Sequence, residues 1–321
     1  RSLQTARGHA RRAALQPASL AVAAGLVAGC GPLPDSVDRS ASALRRHSVI
    51  DGEPCTERVH PASLVIMIDA EKQVGGELVP LRKPICTGAL VTPDTVLTAS
   101  HCLDPLALED GTGPIVSLRY LGSFSSDVAP LASGDTDQFP ADAIEISTRE
   151  LHPDYDLGAF SGINGLGDFH DIGLAFLSAP VTDVTPLHIV TSGEAPQVQS
   201  GAAVEMVGWG WQQPDPPPPA GTVGVKICAP SFINEIGAHE MQIGDDDTLP
   251  RKCHGDSGGP TYMQVDTSAS RRVRVVGVTS HTYDATECQK GSVDTRVDVW
   301  LDWIDATMRA RCADGTRVWC D

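Results

Sequence analysis

The sequence predicts an all-β fold, and three observations predict it. Short apolar runs rich in β-branched residues recur along the chain, at Ser63–Ile68, Ile85–Val91, Val96–Cys102, His170–Leu177, Val204–Gly210 and Val275–Thr282. Clusters of Gly, Pro and Asp separate them, within a turn-rich composition of 31 glycines and 24 prolines. Helical spacing of apolar residues, at three and four, is found at Val297–Met308, near the end of the chain. Strands this short and this regularly spaced build a barrel or a sandwich. The 321 residues, 41% of them hydrophobic, suffice for one large or two ordinary domains.

The formal charge is −17. Residues 1–30 hold four arginines and no acidic residue, so the remainder is more acidic still. Such a surface excludes nucleic acid as a partner, because phosphate binding needs Lys and Arg. It also disfavours an acidic substrate unless the site is locally basic.

Residues 1–29 read as a signal peptide: an Arg-rich start, then a short apolar run of small residues from Ala18 to Gly29. Leu26-Val27-Ala28-Gly29-Cys30 resembles the lipobox of bacterial lipoproteins, a family in which the cysteine becomes the lipidated N-terminus. An ordinary secretory signal with a chance cysteine is the other reading. Both export the chain to an oxidising compartment. The first anchors it at the bacterial cell envelope, at the outer membrane, through lipid on Cys30; the second secretes it. Residues 30–48 are small and polar, a tether or a propeptide. The folded domain begins at Val49 and runs to about residue 308, and residues 309–321 form a short extension.

Chemistry concentrates in Cys253-His254-Gly255-Asp256-Ser257-Gly258-Gly259-Pro260. A serine hydroxyl is a weak nucleophile. It needs a base, a tight backbone turn and N–H donors for a developing oxyanion. The glycines supply the turn. His101 ends the apolar run Val96–Cys102 and is the candidate base, with Cys86 and Cys102 bracketing the hairpin before it. Asp171 opens an apolar strand, where a buried carboxylate needs a partner, and an imidazole N–H serves.

His101 in L-T-A-S-H-C, Asp171 in D-I-G-L-A-F and Ser257 in G-D-S-G-G-P resemble the triad of the trypsin/chymotrypsin-like serine proteases, in that family's order. The resemblance covers residues 49–308 and departs at Ser100, where the family usually has alanine. It implies two six-stranded Greek-key β-barrels with a C-terminal helix. It implies an endopeptidase acting on protein or peptide substrates, with Gly255 and Ser257 as the oxyanion hole. Val49 resembles a new N-terminus that pairs with Asp256 after cleavage, although the bond follows Ser48 and the nearest basic residues are Arg45 and Arg46. The resemblance pairs Cys86 with Cys102, Cys253 with Cys288 and Cys55 with Cys228, leaving Cys312 and Cys320 to close a small loop.

The resemblance also places Arg251 at the pocket floor, where trypsin has aspartate, and implies Ser280, His281, Thr282 and Ser292 as further pocket residues. Either Arg251, aided by His281, selects an acidic P1 side chain, or it faces solvent and the pocket takes small or apolar ones. Gln212–Gly221 reads as a stiff proline-rich loop and Asp245–Asp247 as a solvated one. The sequence holds no CxxC pair and no HExxH; no metal or cofactor is expected, and the chain is expected to be a monomer. A protease-like binding module without activity, and an esterase with the same nucleophile, are the rival functions.

Overall fold

The computed structural model describes residues 49–160, 164–213, 222–245, 248–267, 270–284 and 288–320. The signal segment, Cys30, the tether, most of the proline-rich loop and two of the three aspartates at 245–247 lie outside the described residues.

A short strand, β1 (Glu53–Pro54), comes first. Then β2 (Ser63–Val74) and β3 (Glu77–Thr92) form a long hairpin in the register Val74↔Glu77. Its two-residue turn is Gly75-Gly76, with φ of 61° and 92°. Positive φ at both central residues matches the twist of the flanking strands, and glycine takes it without strain. β4 (Thr95–Thr98), β5 (Ile115–Ser123), β6 (Ile144–Leu151) and β7 (Gly173–Leu177) complete a closed antiparallel barrel in the order β2-β3-β4-β7-β6-β5. A five-residue helix, α1 (Ala129–Ser133), lies between β5 and β6. Sequence patterning marks residues 103–170 as loop-rich and leaves β5 unseen, because its outer half is mostly exposed and only Tyr120–Ser123 are buried.

The second barrel is built from β8 (Ala203–Gly208), β9 (Ile227–Ile236), β10 (Glu240–Ile243), β11 (Pro260–Asp266), β12 (Arg271–Thr282) and β13 (Ser292–Arg296). Its order is β9-β10-β13-β12-β11-β8, closed by the β8–β9 pairing, and β1 adds to the outer edge of β9. The architecture is therefore two closed six-stranded antiparallel barrels. Of β2, all of Ser63–Ile68 is buried, so its sequence is continuously apolar rather than alternating. Fully buried Leu64, Ile66, Phe176 and Leu97 each contribute about 1.5–3 kcal/mol by leaving water. Ser63 Oγ and Tyr262 OH, buried and 2.7 Å apart, join the two barrels.

The C-terminal helix, α2, spans Leu301–Ala313, which shifts the expected Val297–Met308 toward the C-terminus. Val297 is held by Val276 O at 3.0 Å as a continuation of the sheet, so the helix starts later. Past Met308 it is continued by the Arg309–Asp305 pair at i,i+4. The tail folds back on the first barrel. Asp94 accepts from the Arg317 guanidinium at 2.7 Å and from the amides of Val318 and Trp319 at 3.1 and 2.9 Å.

Candidate active site

The first barrel supplies a histidine and a carboxylate. After β4 the chain makes one 3-10 turn, Ser100–Cys102, that carries His101. The turn is anchored on both sides. A disulfide joins Cys86 to Cys102. Ser100 Oγ donates to Ile172 O at 2.6 Å and accepts from His152 N at 3.0 Å. The Ser100 departure is thus a working contact, tying the histidine turn to the residue after Asp171. Asp171 is wholly buried. Its Oδ2 lies 2.7 Å from His101 Nδ1, and its Oδ1 accepts the His101 backbone N–H at 2.9 Å. Ser280 Oγ donates to the same Oδ2 at 2.7 Å. A carboxylate at Nδ1 fixes the proton there and leaves Nε2 as the basic nitrogen. Burial opposes the charge of His101, but the attraction and hydrogen bond of Asp171 outweigh it and raise its pKa above the usual 6.5. Burial likewise opposes ionisation of Asp171, yet His101 and the hydrogen bonds hold its pKa below the ordinary value.

The second barrel supplies the serine turn. Cys253 is bonded to Cys288. Within the turn, Asp256 N–H donates to Cys253 O at 3.0 Å and Gly259 N–H to Asp256 O at 2.8 Å. Gly258 has φ of 75°, and a Cβ there would stand 2.0 Å from Thr98 Oγ1 and 2.4 Å from Thr87 O. The serine turn therefore presses on β3 and β4 just before His101, and Thr87 N–H donates to Ser257 O at 2.8 Å. Gly255, with φ of 91°, would put a Cβ 2.8 Å from Gly210 Cα. Among the described residues neither the Gly255 nor the Ser257 amide donates to a protein acceptor, whereas Asp256, Gly258 and Gly259 all do. Ser257 and Ser280 line one cavity. Ser280 thus links that cavity to Asp171 and, through it, to His101.

Asp256 points away from the cavity into the fold. Its carboxylate accepts from Gly210 N at 2.8 Å, from Cys253 N at 2.9 Å and from the Val49 backbone amide. Val49 and Asp256 are both fully buried. Burial pushes the Asp256 carboxyl up to about 6, against these N–H donors and nearby Lys252.

The family model described as Trypsin matches residues 49–304. The chain belongs to the trypsin family. It is 27% identical over 252 residues to a phenoloxidase-activating enzyme of Bombyx mori, covering 70% of this chain and 54% of that protein. It thus spans about half the length of that relative. It is 26% identical over 275 residues to a glandular kallikrein of Sus scrofa, covering 81% of this chain and 96% of the relative. A tryptase of Mus musculus is 27% identical over 237 residues, at 68% and 77% coverage.

Beside Ser257, this trypsin-family chain has a cavity of about 210 Å³, lined by Lys252, His254, Thr279, Ser280, His281, Thr282 and Ser292 among others. Arg251, expected either on its floor or facing solvent, does neither: it is absent from the lining and only 3% exposed. The cause lies in the backbone. Residue 251 pairs with Ile50 as an antiparallel bridge, which turns its side chain away. The Arg251 guanidinium bonds Cys288 O, Leu249 O at 3.1 Å and Asp51 at 3.4 Å. Lys252 takes the floor instead. Its Nζ donates to Thr261 Oγ1 at 2.7 Å, reaches Asp294 Oδ2 at 3.0 Å and Oδ1 at 3.3 Å, and lies 3.3 Å from Gly259 O. Burial lowers the Lys252 pKa, and Asp294 opposes the shift.

His281 lines the cavity, but its ring nitrogens face the fold: Nδ1 is 2.8 Å from Thr282 O and Nε2 is 3.1 Å from Glu240 Oε1. Thr279 and Thr282 donate to Gly259 O and Asp284 O at 2.9 and 2.8 Å. Ser292 Oγ is buried and has no partner among the described residues. Patterning alone does not reveal Lys252, Asp294 or the link from Ser280 to Asp171; each depends on which face of a strand is inside. The remaining disulfides are Cys55–Cys228 and Cys312–Cys320.

Proposed function

We propose that this protein is a serine endopeptidase working through Ser257, His101 and Asp171. The single observation that supports this best is the buried Asp171–His101 pair, held at 2.7 Å and linked through Ser280 to the cavity that Ser257 lines. In this reading Ser257 Oγ attacks the scissile carbonyl while His101 Nε2 takes its proton. Asp171 holds the imidazole in the tautomer that leaves Nε2 basic and stabilises the imidazolium that forms. The Gly255 and Ser257 amides receive the oxyanion, each donor lowering the barrier by about 3 kcal/mol. His101 returns the proton to the leaving amine, and water hydrolyses the acyl-enzyme by the same steps in reverse.

The S1 pocket in this reading takes an uncharged P1 side chain. The Lys252 charge is matched by Asp294, and Thr261 Oγ1 and Gly259 O take its other hydrogen bonds. The floor is therefore neutral and attracts neither an acidic nor a basic side chain. Within the volume of about 210 Å³, Ser292 Oγ offers a hydrogen bond. Cleavage before Val49 would free an ammonium beside Asp256 and neutralise that buried carboxyl. Export follows from the signal-like residues 1–29 and from four disulfides, which persist in oxidising compartments. Lipid on Cys30 is the anchor in this reading, and the intact N-terminal mass of the exported protein reports both lipidation and cleavage.

Active-site labelling tests the assignment. A fluorophosphonate probe is expected to label the wild-type protein once, and Ser257→Ala is expected to abolish labelling and peptide hydrolysis with thermal unfolding unchanged. Labelling that survives the substitution overturns the assignment. Absence of wild-type labelling, with cleavage before Val49 verified, favours a binding module.

A further inference from the structure

Three titratable side chains that the proposed chemistry does not use converge on one face beside Asp171. Asp168 and His170 lie in the segment leading into β7, and His239 sits in the turn between β9 and β10. Asp168 Oδ1 contacts His239 Nδ1 directly and lies 3.9 Å from His170 Nε2. One ligand atom from each of the three falls within 4.8 Å of the others. We propose that Asp168, His170 and His239 bind a borderline divalent transition ion such as Zn²⁺, with a further coordination position open to solvent.

The donor set fits. Two imidazole nitrogens and one carboxylate oxygen suit zinc, whose bonds to them are about 2.0–2.2 Å long. Tetrahedral bonds of that length place ligand atoms roughly 3.4 Å apart. The His170–Asp168 distance needs only a small contraction, and the His239–Asp168 contact a small opening. The exposed Asp168 side chain, at 70%, leaves room for both adjustments and gives the ion access from water.

The imidazoles are already oriented. Trp300 stacks on His239 at 4.9 Å and meets His170 edge-on at 5.0 Å, while His152 stacks on His170 at 5.2 Å. The His239 turn is clamped as well. Arg296 N donates to His239 O at 2.8 Å, and the Arg296 guanidinium donates to Gly237 O at 2.7 Å. Among the described residues, the other two clusters with metal-ligand chemistry, around His101 and His254, offer only disulfide-bonded cysteines beside each histidine, so no thiolate is available there.

The ion would join two parts of the molecule. His170 immediately precedes Asp171, and Asp171 O accepts from Thr295 Oγ1 at 3.0 Å, next to the Arg296 that holds the His239 turn. Bound metal thus staples the segment carrying Asp171 to the second barrel. It touches neither His101 nor Ser257, and the inference stands whether or not the protein is a peptidase.

The test uses the full chain, stripped with a chelator and titrated calorimetrically with Zn²⁺, with Co²⁺ absorption as a geometric probe. One saturating equivalent, a raised Tm and the ligand-field bands of four-coordinate Co²⁺ are expected. His239→Ala, His170→Ala and Asp168→Asn should each weaken binding at least about tenfold and remove the bands. His188→Ala, on an exposed loop, should change neither. Any variant with a lowered metal-free Tm is replaced by His239→Gln, which keeps the bulk of the side chain. Absence of saturable binding, or wild-type affinity in His239→Ala or His239→Gln, overturns the proposal.

Discussion

Lys252 and Asp294 form an ion pair inside the second barrel, Nζ to Oδ2 at 3.0 Å, with neither side chain accessible to solvent. Thr261 bridges them, accepting from Lys252 at 2.7 Å and donating to Asp294 at 2.5 Å. Lys252 also lines the cavity beside Ser257, so in the proposed reading the balance of the pair sets the charge that a bound side chain meets. The wild-type protein should cleave after uncharged residues. Asp294→Asn leaves Lys252 unmatched and should shift cleavage toward acidic P1 residues, while lowering stability by about 3–5 kcal/mol because a buried charge loses its partner. Profiling both proteins on one peptide library checks this; wild-type cleavage after Lys or Arg would contradict the neutral floor.

The His101–Asp171 geometry makes a pH prediction. The base must be neutral to accept a proton, and Asp171 raises its pKa above 6.5. The acid limb of kcat/KM should therefore have a midpoint above 6.5. Asp171→Asn should lower kcat by about four orders of magnitude, because the imidazole loses its preferred tautomer. Initial rates on a P1-matched peptide from pH 5 to 9 measure both effects.

Asp256 makes a stability prediction. Its folded pKa is raised from 3.8 to about 6, so the folded state binds the proton more tightly than the unfolded state. The stability it contributes is present below pH 4 and is lost as pH rises through 6. The loss amounts to about 3 kcal/mol. In the chain uncleaved before Val49, wild type should lose that much relative to Asp256→Asn between pH 4 and pH 7. Urea unfolding of the pair at each pH provides the comparison, and cleavage before Val49 should abolish the loss by supplying an ammonium.

Glu194 has the opposite sign. Its carboxylate is bonded by Arg274 at 2.9 and 3.0 Å, and that guanidinium, chiefly through its hydrogen bonds, holds the pKa down to about 2, from 4.5. The stabilisation is present above pH 4.5 and is lost as pH falls toward 2. Glu194→Gln should destabilise the protein by about 3 kcal/mol at pH 7 and by progressively less in acid, read as a Tm difference that closes on acidification.

Removing the Cys86–Cys102 bridge, as Cys86→Ser with Cys102→Ser, should reduce stability by about 3 kcal/mol. It should lower kcat more than it raises KM, because the bridge holds the turn that carries His101 rather than the substrate pocket. Steady-state kinetics below the variant's Tm separate the two.

Legibility differed between the parts of this molecule. His101, Asp171 and Ser257 are readable because each sits in a local motif whose residue types the chemistry demands, and the glycines at 255 and 258 because a Cβ there meets backbone or a neighbouring side chain. β5 was not readable, since only its last four residues carry the signal of burial. The His170–His239 cluster is invisible in the sequence because 69 positions separate residues that only the packing of the two barrels against each other brings together.

The sequence by itself determined the all-β character, the order of the reactive residues and an even set of cysteines beyond Cys30. These are properties of local pattern and residue chemistry. Tertiary structure alone decided what the pocket presents. Arg251 and Lys252 are adjacent cations with nearly the same sequence context, and neighbouring residues of an extended chain point to opposite sides. Only the pairing of residue 251 with Ile50 turns Arg251 toward Cys288 and Leu249 and sends Lys252 to Asp294. The charge of the pocket floor follows from that one register.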